Sequence, residues 1–505
     1  MPVATFSFLL FISATLLVYF TVPRRSQWIV LLVASYVFYA SAGVKQLLFL
    51  VLTTIISFSA GFLLAGVKNK NKKKFILASA LVLDFGLLVF LKYYNFAASG
   101  INALLAGTGF ALPAFKLLLP LGISFYIFQS AGYVIDIYRG KYPPERNIAR
   151  FALFVSFFPQ IIQGPISRYD RLAPQLSASH EPDFDRLKYG IQLMLWGYLK
   201  KIIIADRAAV LVNTVFADYM NYPGSIAALA VLFYCIQIYC DFSGGIDIIR
   251  GIAQMMGIDM VENFRRPYFA TSLADFWRRW HISLGGWMRD YLFYPLSLSR
   301  PFYRLGKRTR RLFPGKLGKI IPTSLASFIV FFVIGIWHGA SFKYMAFGLY
   351  NGIIISFSII AAPYFTAFLE KIRIDPQGLP WRIVQIISTN FIVFIGRYFT
   401  RGPSLMAALR MLKRTVFSFN MQALRDGTFR TLGLSGFDLF LIVAGCFIIF
   451  LVGFYQEAGV EVRKALERKN WLVQWALVMA ALAVLVFFGI YREGYIASEF
   501  IYQQY

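Results

Sequence analysis

The sequence of 505 residues is short of charge, since only 15% of its residues are charged. Soluble globular proteins carry about 25% charged residues. Residues of the hydrophobic class make up 58% of the chain. A soluble domain cannot hide this much apolar surface, because its surface has to be largely covered by polar groups. The composition therefore excludes an ordinary soluble protein and predicts that lipid covers the excess apolar surface.

The sequence also lacks several common functional signatures. Its three cysteines, Cys235, Cys240 and Cys446, lie in apolar segments without metal-ligand spacing. This pattern argues against a disulfide framework, and we expect no metal site. There is no P-loop, no GxSxG elbow, no HExxH motif and no GxGxxG after a strand. The enzyme classes that depend on those motifs are therefore disfavoured.

Apolar runs long enough to cross a bilayer recur along almost the whole chain. We predict about 11–13 transmembrane helices, drawn from segments 3–22, 27–43, 46–67, 75–93, 117–138, 189–205, 226–250, 320–337, 342–362, 382–399, 436–455 and 471–490. Segments 98–115 and 151–166 are short or broken by Pro and Gly, which is typical of re-entrant or interfacial pieces. A short amphipathic helix is predicted over 405–417. The sequence thus predicts an all-α polytopic membrane protein with a single domain over 1–505.

The net charge of +27 comes from short basic clusters between the apolar runs. The clusters at Arg24–Arg25, 68–74, 139–150 and 300–319 all fall on one side if the spans alternate. That is the positive-inside pattern of loops that face the cytoplasm and anionic lipid. Nucleic-acid binding is disfavoured, because no basic domain exists to carry it. Since Arg24 and Arg25 follow the first apolar run, we expect that run to be a retained helix.

Residues 260–295 are aromatic-rich, charged and too polar to span a membrane. Tryptophan and arginine together favour the membrane–water interface. We predict one interfacial helix from Asp275 to Met288. It would frame the entrance to a buried site for an anionic donor of the coenzyme A type.

Only three histidines occur, and two of them have unusual surroundings. His338 ends a long apolar run, and an ionisable group at membrane depth is a functional candidate. Burial would keep its imidazole neutral and able to act as a general base. A hydrogen bond to a neighbouring helix is the structural alternative. His180 lies in a polar loop, and we assign it no role.

The other candidate residues are His281, the two arginines that precede it, and Asp241. His281 lies in RRWHISL, where Arg278 and Arg279 suit phosphate or carboxylate recognition. An interfacial histidine beside lipid headgroups is the alternative. Asp241, in QIYCDFSGGID, could orient a histidine or pair with an arginine.

Seven blocks in order carry a family resemblance: LKYYNF (91–96), LPLGISFYIFQSAGYVIDIYRG (119–140), FFPQIIQGPISRYDRL (157–172), LKKIIIADR (199–207), QIYCDFSGGIDI (237–248), NFRRPYFATSLADFWRRWHISLGGWMRDYLFYPL (263–296) and IWHGASFKYMAFGLYNG (336–352). The chain resembles the membrane-bound O-acyltransferase family. Within it, the chain is similar to the bacterial branch of the alginate O-acetyltransferase membrane subunit and the teichoic-acid D-alanyl transferase. The motif-bearing core covers about 84–352, whereas the C-terminal helices, about 380–490, match in hydropathy only.

The resemblance implies helices around a central tunnel in a bacterial cytoplasmic membrane. It implies catalytic roles for His338, at the family's near-invariant histidine, and His281, at a second polar position. Donor binding is then expected of Arg278, Arg279, Trp280 and Asp241. The donor would be cytoplasmic acetyl-CoA, with no bound cofactor. The acyl group would pass through an extracytoplasmic partner protein to a polysaccharide.

Two alternatives to acetyl transfer stay open at this point. One is D-alanyl transfer to teichoic acid from a carrier protein. The other is a non-catalytic glycan or lipid transporter, although few acidic residues lie within spans. The sequence departs from the branch at SGGID (243–247) and YPLSLSRP (294–301), which bears on the acceptor and partner more than on the reaction.

Overall fold

The computed structural model describes residues 1–161 and 163–490, and these ranges are helical with no β-strand. The helices are α1 Phe6–Thr21, α2 Gln27–Ala40, α3 Val44–Gly66, α4 Lys70–Leu104, α5 Ile123–Tyr138, α6 Ile148–Ser156, α7 Phe158–Ile161, α8 Tyr169–Ser177, α9 Phe184–Tyr198, α10 Asp206–Ala217, α11 Gly224–Met255, α12 Leu273–Arg279, α13 Ile282–Met288, α14 Tyr294–Ser297, α15 Arg300–Leu312, α16 Lys316–His338, α17 Phe342–Lys371, α18 Leu379–Arg401, α19 Leu405–Phe417, α20 Gly436–Glu457, α21 Val462–Glu467 and α22 Trp471–Phe488. Two π-helical turns, Leu199–Ala205 and Arg289–Phe293, continue α9 and α13.

Eight helices in the described part of the chain are long and apolar enough to cross a membrane: α3, α4, α11, α16, α17, α18, α20 and α22. The all-α polytopic membrane class is therefore confirmed. The other four predicted spans are also helical, but α1, α2, α5 and α9 have only 14 to 16 residues. The span predicted from residue 117, for example, begins only at Ile123. Pro120 and the left-handed Gly122, at φ +69°, interrupt the backbone before it.

The chain divides into two compact units, each made of several segments. Of the described residues, those within 1–206, 238–261 and 441–490 form unit 1, and residues 207–237 and 262–440 form unit 2. In unit 1, α9 crosses the second half of α11 through two glycine pairs. A Cβ on Gly197 would lie 2.5 Å from the carbonyl oxygen of Gly244, and one on Gly190 would lie 2.6 Å from that of Gly251. The backbones touch there, so neither helix has room for larger residues.

The two segments predicted to be re-entrant or interfacial differ from each other. Within 151–166, α6 and α7 supply short, buried helices, and Ile162 lies outside the described residues. The prediction for 98–115 is partly wrong, because residues 98–104 continue α4. The chain is irregular from there to Gly122.

The basic stretch 300–319 is largely helical, which corrects its interpretation as a loop. The helix α15 packs against the start of α16, where Thr309 donates a hydrogen bond to the Gly318 carbonyl oxygen at 2.7 Å. Its other face exposes six cations: Arg300, Arg304, Lys307, Arg308, Arg310 and Arg311. The predicted amphipathic helix over 405–417 is confirmed as α19.

Unit 2 is built around the hairpin of α16 and α17, which turns at Gly339–Ser341. The two helices approach closely because glycines face each other. A Cβ on Gly335 would lie 2.5 Å from the Tyr344 carbonyl oxygen and 2.7 Å from the Gly348 Cα atom. This crossing fixes the end of α16, where His338 lies.

We predict that Gly335→Ala destabilises the protein, because the new methyl group meets backbone atoms that cannot give way. Overpacking of this kind costs about 1–3 kcal/mol. Thermal unfolding in detergent measures the loss. Gly86→Ala is the matched control, since Gly86 lies on the exposed face of α4 with nothing within 4 Å of its Cβ position. Equal melting temperatures for the two variants would contradict the tight crossing.

Candidate active site

His338 is the last residue of α16 and is 9% exposed. Its ring stacks on Tyr344, with centroids 6.2 Å apart, and meets the edge of Phe347 at 5.7 Å. At 1.5 Å per residue it lies about 33 Å along the axis from Lys316, which is about the thickness of the bilayer core. The histidine thus lies at the end of this helix and not half-way along it.

His281 lies at a break between α12 and α13, and the single helix predicted over Asp275–Met288 is wrong. Its φ is +50°, a left-handed conformation that non-glycine residues seldom adopt. An isolated β-bridge between Phe264 and Trp280 holds the chain there, and the Arg265 N–H donates to the Arg279 carbonyl oxygen at 2.9 Å. The break turns the imidazole inward, where the residue is only 2% exposed.

Asn263 binds the His281 turn with both its main chain and its side chain. Its carbonyl oxygen accepts the Ile282 N–H at 3.0 Å. Its Oδ1 accepts both the N–H and the hydroxyl of Ser283 at 2.9 Å, and its Nδ2 lies 3.2 Å from His281 Nδ1. Asn263 is fully buried. Asn263 was not predicted from the sequence, because nothing in its local pattern distinguishes it from a surface asparagine.

The imidazole of His281 is kept uncharged by its surroundings. Burial lowers its pKa from the usual 6.5 to about 3. His281 lies outside the eight candidate spans. At neutral pH the site therefore holds an imidazole and not an imidazolium.

Trp337 contacts both candidate histidines. Its ring centroid is 6.2 Å from that of His281 and 5.0 Å from that of His338. The two imidazole centroids are therefore at most about 11 Å apart. This brings together two residues that are 57 positions apart in the sequence. A substrate carbonyl and an attacking oxygen are small enough to be shared by groups at this separation.

The two predicted donor-binding arginines have different surroundings. The Arg278 side chain is 72% exposed, and its Nε is 3.6 Å from Asp275. Arg279 is held more closely, with Nε donating to the same carboxylate at 2.9 Å and a side chain 20% exposed. The geometry leaves Arg278 as the more accessible cation.

Trp280 is buried, stacked on Phe276 at 5.5 Å, with the guanidinium of Arg397 at 4.7 Å from its ring centroid. These contacts favour a role in holding the turn before His281. That it also touches the donor stays a prediction.

Asp241 belongs to unit 1 and lies in a buried ion cluster there. Lys201 Nζ lies 2.6 Å from Asp241 and 2.9 Å from Asp206, and all three side chains are 1–3% exposed. Pairing of this kind offsets the cost of burying the charges. The contacts indicate a structural role, and its predicted part in donor binding stays a prediction. Among the described residues, no group of three His, Cys, Asp or Glu side chains is placed to hold a metal ion.

Comparisons with known proteins agree with this architecture. Residues 145–309 match the family model for MBOAT, the membrane-bound O-acyltransferase family, a range that includes His281 and ends before His338. A probable alginate O-acetylase of Pseudomonas syringae pv. tomato is 34% identical over 81% of this chain and 74% of its own length. A peptidoglycan O-acetyltransferase of Helicobacter pylori is 30% identical over 77% and 73%. A teichoic acid D-alanyltransferase of Bacillus subtilis is 28% identical over 57% and 70%.

The fold and these relatives define a multi-pass membrane acyltransferase. The chain belongs to the membrane-bound O-acyltransferase family. The resemblance in the seven sequence blocks is thereby confirmed. Membership in a family of enzymes argues against the non-catalytic transporter.

We predict that His281 weakens the fold as pH falls from about 6.5 towards 4. In that range the unfolded imidazole takes up a proton, whereas the folded one does not until about pH 3. The effect is at most about 1.4 kcal/mol per pH unit. Melting temperatures across this range should fall less steeply for His281→Asn than for the wild type. If the melting temperatures of both proteins fell equally with pH, a lowered pKa of His281 in the folded protein would be ruled out.

Proposed function

We propose that this protein moves an acetyl group from cytoplasmic acetyl-CoA to a hydroxyl of an extracytoplasmic polysaccharide or cell-wall glycan. The observation that carries the proposal is the pair of buried imidazoles, His281 and His338, that both contact Trp337. The relatives named as O-acetylases of alginate and peptidoglycan support an acetyl group and a glycan acceptor. Because these relatives come from bacteria, we place the protein in the bacterial cytoplasmic membrane.

In the proposed reaction His338 is the general base. It takes the proton of the acceptor hydroxyl as the oxygen attacks the thioester carbonyl carbon. The tetrahedral oxyanion then collapses, the carbon–sulfur bond breaks, and the thiolate receives the proton that His338 took up. His281 contacts the thioester group, where it positions the donor or stabilises the oxyanion.

The position of His338 suits a reaction in which the donor and the acceptor lie on opposite sides of the membrane. If the basic segment 300–319 faces the cytoplasm, the end of α16 lies towards the opposite side, near the acceptor. Only the acyl group then has to cross, while the charged coenzyme stays inside. An extracytoplasmic partner protein would supply the attacking hydroxyl and then pass the acyl group on to the glycan.

Donor attraction is proposed for Arg278 and the cationic face of α15. Six exposed cations on one short helix raise the local concentration of a phosphorylated donor. The same face supports the second candidate, D-alanyl transfer from an acidic carrier protein. The similarity to the Bacillus subtilis D-alanyltransferase favours keeping that candidate.

The first test measures acyl release from radiolabelled acetyl-CoA by the protein in lipid nanodiscs. His338→Ala should lower the rate by about 10²–10⁴, the range for loss of a general base. His180→Ala is the control, because His180 lies in unit 1 with its ring bonded to the Gln175 carbonyl oxygen at 2.9 Å.

Each outcome of this test has a definite meaning. A folded His338→Ala protein with wild-type turnover removes His338 from the mechanism. If the wild type itself is inactive with acetyl-CoA and active with an aminoacyl carrier protein, the alanyl alternative replaces acetyl transfer.

Arg278→Gln should raise the KM for acetyl-CoA while leaving kcat unchanged. We expect about a two- to fivefold effect at low salt, as for an exposed ion pair, and a smaller one at high salt. Arg410→Gln is the matched control, an exposed arginine on α19. An unchanged KM, or an equal rise in both variants, would remove Arg278 from donor binding.

A further inference from the structure

Asn263 was not among the predicted site residues, yet its side-chain nitrogen lies 3.2 Å from His281 Nδ1. We propose that Asn263 is a positioning residue that keeps the proton of His281 on Nε2. His281 would then serve as a hydrogen-bond donor, and His338 would be left as the only base. The catalytic part of this inference rests on the proposed function, but the proton position is a property of the resting protein.

The orientation of the Asn263 amide follows from Ser283. The main-chain N–H of Ser283 can only donate, and it lies 2.9 Å from Asn263 Oδ1. The Ser283 hydroxyl approaches the same oxygen at 2.9 Å. A flipped amide would point its NH₂ group at a main-chain donor. The oxygen is therefore fixed towards Ser283 and the NH₂ group towards His281.

This orientation decides which imidazole nitrogen of His281 accepts the hydrogen bond from Asn263. Asn263 Nδ2 lies 3.2 Å from His281 Nδ1, and Nδ2 is only a donor. Nδ1 must therefore offer its lone pair, and in a singly protonated ring the proton then lies on Nε2. Asn263 Oδ1 is farther from Nδ1, at 3.4 Å, and already accepts two hydrogen bonds.

The main chain keeps the ring in this arrangement. The left-handed conformation of His281 and the bond from Ile282 N–H to the Asn263 carbonyl oxygen fix the turn on both sides of the imidazole. Asn263 is fully buried, so water does not compete for its amide. The ring is thus held with Nδ1 towards Asn263 and Nε2 directed away from it.

The consequence for the reaction is a separation of roles between two residues of the same type. The Nε2–H of His281 donates to the thioester carbonyl oxygen as negative charge develops there, and it keeps its proton throughout. The proton of the acceptor hydroxyl moves only through His338 to the leaving thiolate. The reaction is therefore balanced in protons and needs no second base.

Nitrogen-15 NMR of the protein labelled only at histidine tests the proton position directly. Three histidines give a simple spectrum, and His180→Asn and His338→Gln identify the remaining signals. We expect His281 in the wild type to show a protonated Nε2 and an unprotonated Nδ1 at pH 7. Asn263→Asp should protonate Nδ1, because a carboxylate can only accept. Ser283→Ala is the matched variant and should keep the wild-type pattern, since the main-chain N–H still fixes the amide.

A wild-type His281 with its proton on Nδ1 would overturn the proposal, and that measurement needs no substitution at Asn263. An unchanged His281 signal in a folded Asn263→Asp protein would also overturn it. Kinetics separate this result from the proposed function. Asn263→Ala should lower kcat by about 10- to 100-fold with the donor KM unchanged. If the NMR pattern is as expected but His338→Ala retains full activity, the proposed reaction fails and the assignment of the proton stands.

Discussion

Lipid offers no hydrogen bonds, so each departure from regular helix in a membrane protein has to be satisfied by the protein itself. Side-chain amides meet this need here. Asn95 and Asn102 each bond both the N–H and the carbonyl oxygen of a residue in the irregular segment after α4, at Phe115 and Leu112. Asn263 has the same role at the break between α12 and α13, where its side-chain amide bonds Ser283 and His281. The candidate site depends on that break, and the buried Asn263 amide supports it together with the main-chain bond from Arg265 to Arg279.

The second consequence of the apolar surroundings concerns charge. In unit 1 two buried lysines are paired with carboxylates, Lys201 with Asp206 and Asp241, and Lys200 with Asp247. At His281 in unit 2 the opposite solution holds, since burial lowers its pKa and removes its charge. An uncharged, fixed dipole is suited to a site where charge develops only during the reaction, because it needs no counter-ion in the resting state.

The sequence was sufficient for the class of fold, and it singled out two histidines that both contact Trp337 in the structure. The apolar runs predicted the helices, and the small number of histidines drew attention to His281 and His338. It was insufficient where the backbone conformation is decided by distant contacts. Nothing in RRWHISL indicates that His281 adopts a positive φ, since the bonds that hold it come from Asn263 and Arg265. The Phe264–Trp280 bridge is likewise invisible to any periodicity.

Two residues of the same type take opposite roles only if their surroundings differ. His281 is held in a strained turn, with an amide directed at one nitrogen. His338 ends a helix and packs on the rings of Tyr344 and Phe347. In our proposal the first arrangement restricts the proton to one nitrogen, whereas in the second the ring is held by packing. Trp337 contacts both imidazoles, so the spacing between them is set by one rigid side chain. The glycine crossing of α16 and α17 fixes the end of α16, and with it the position of both Trp337 and His338.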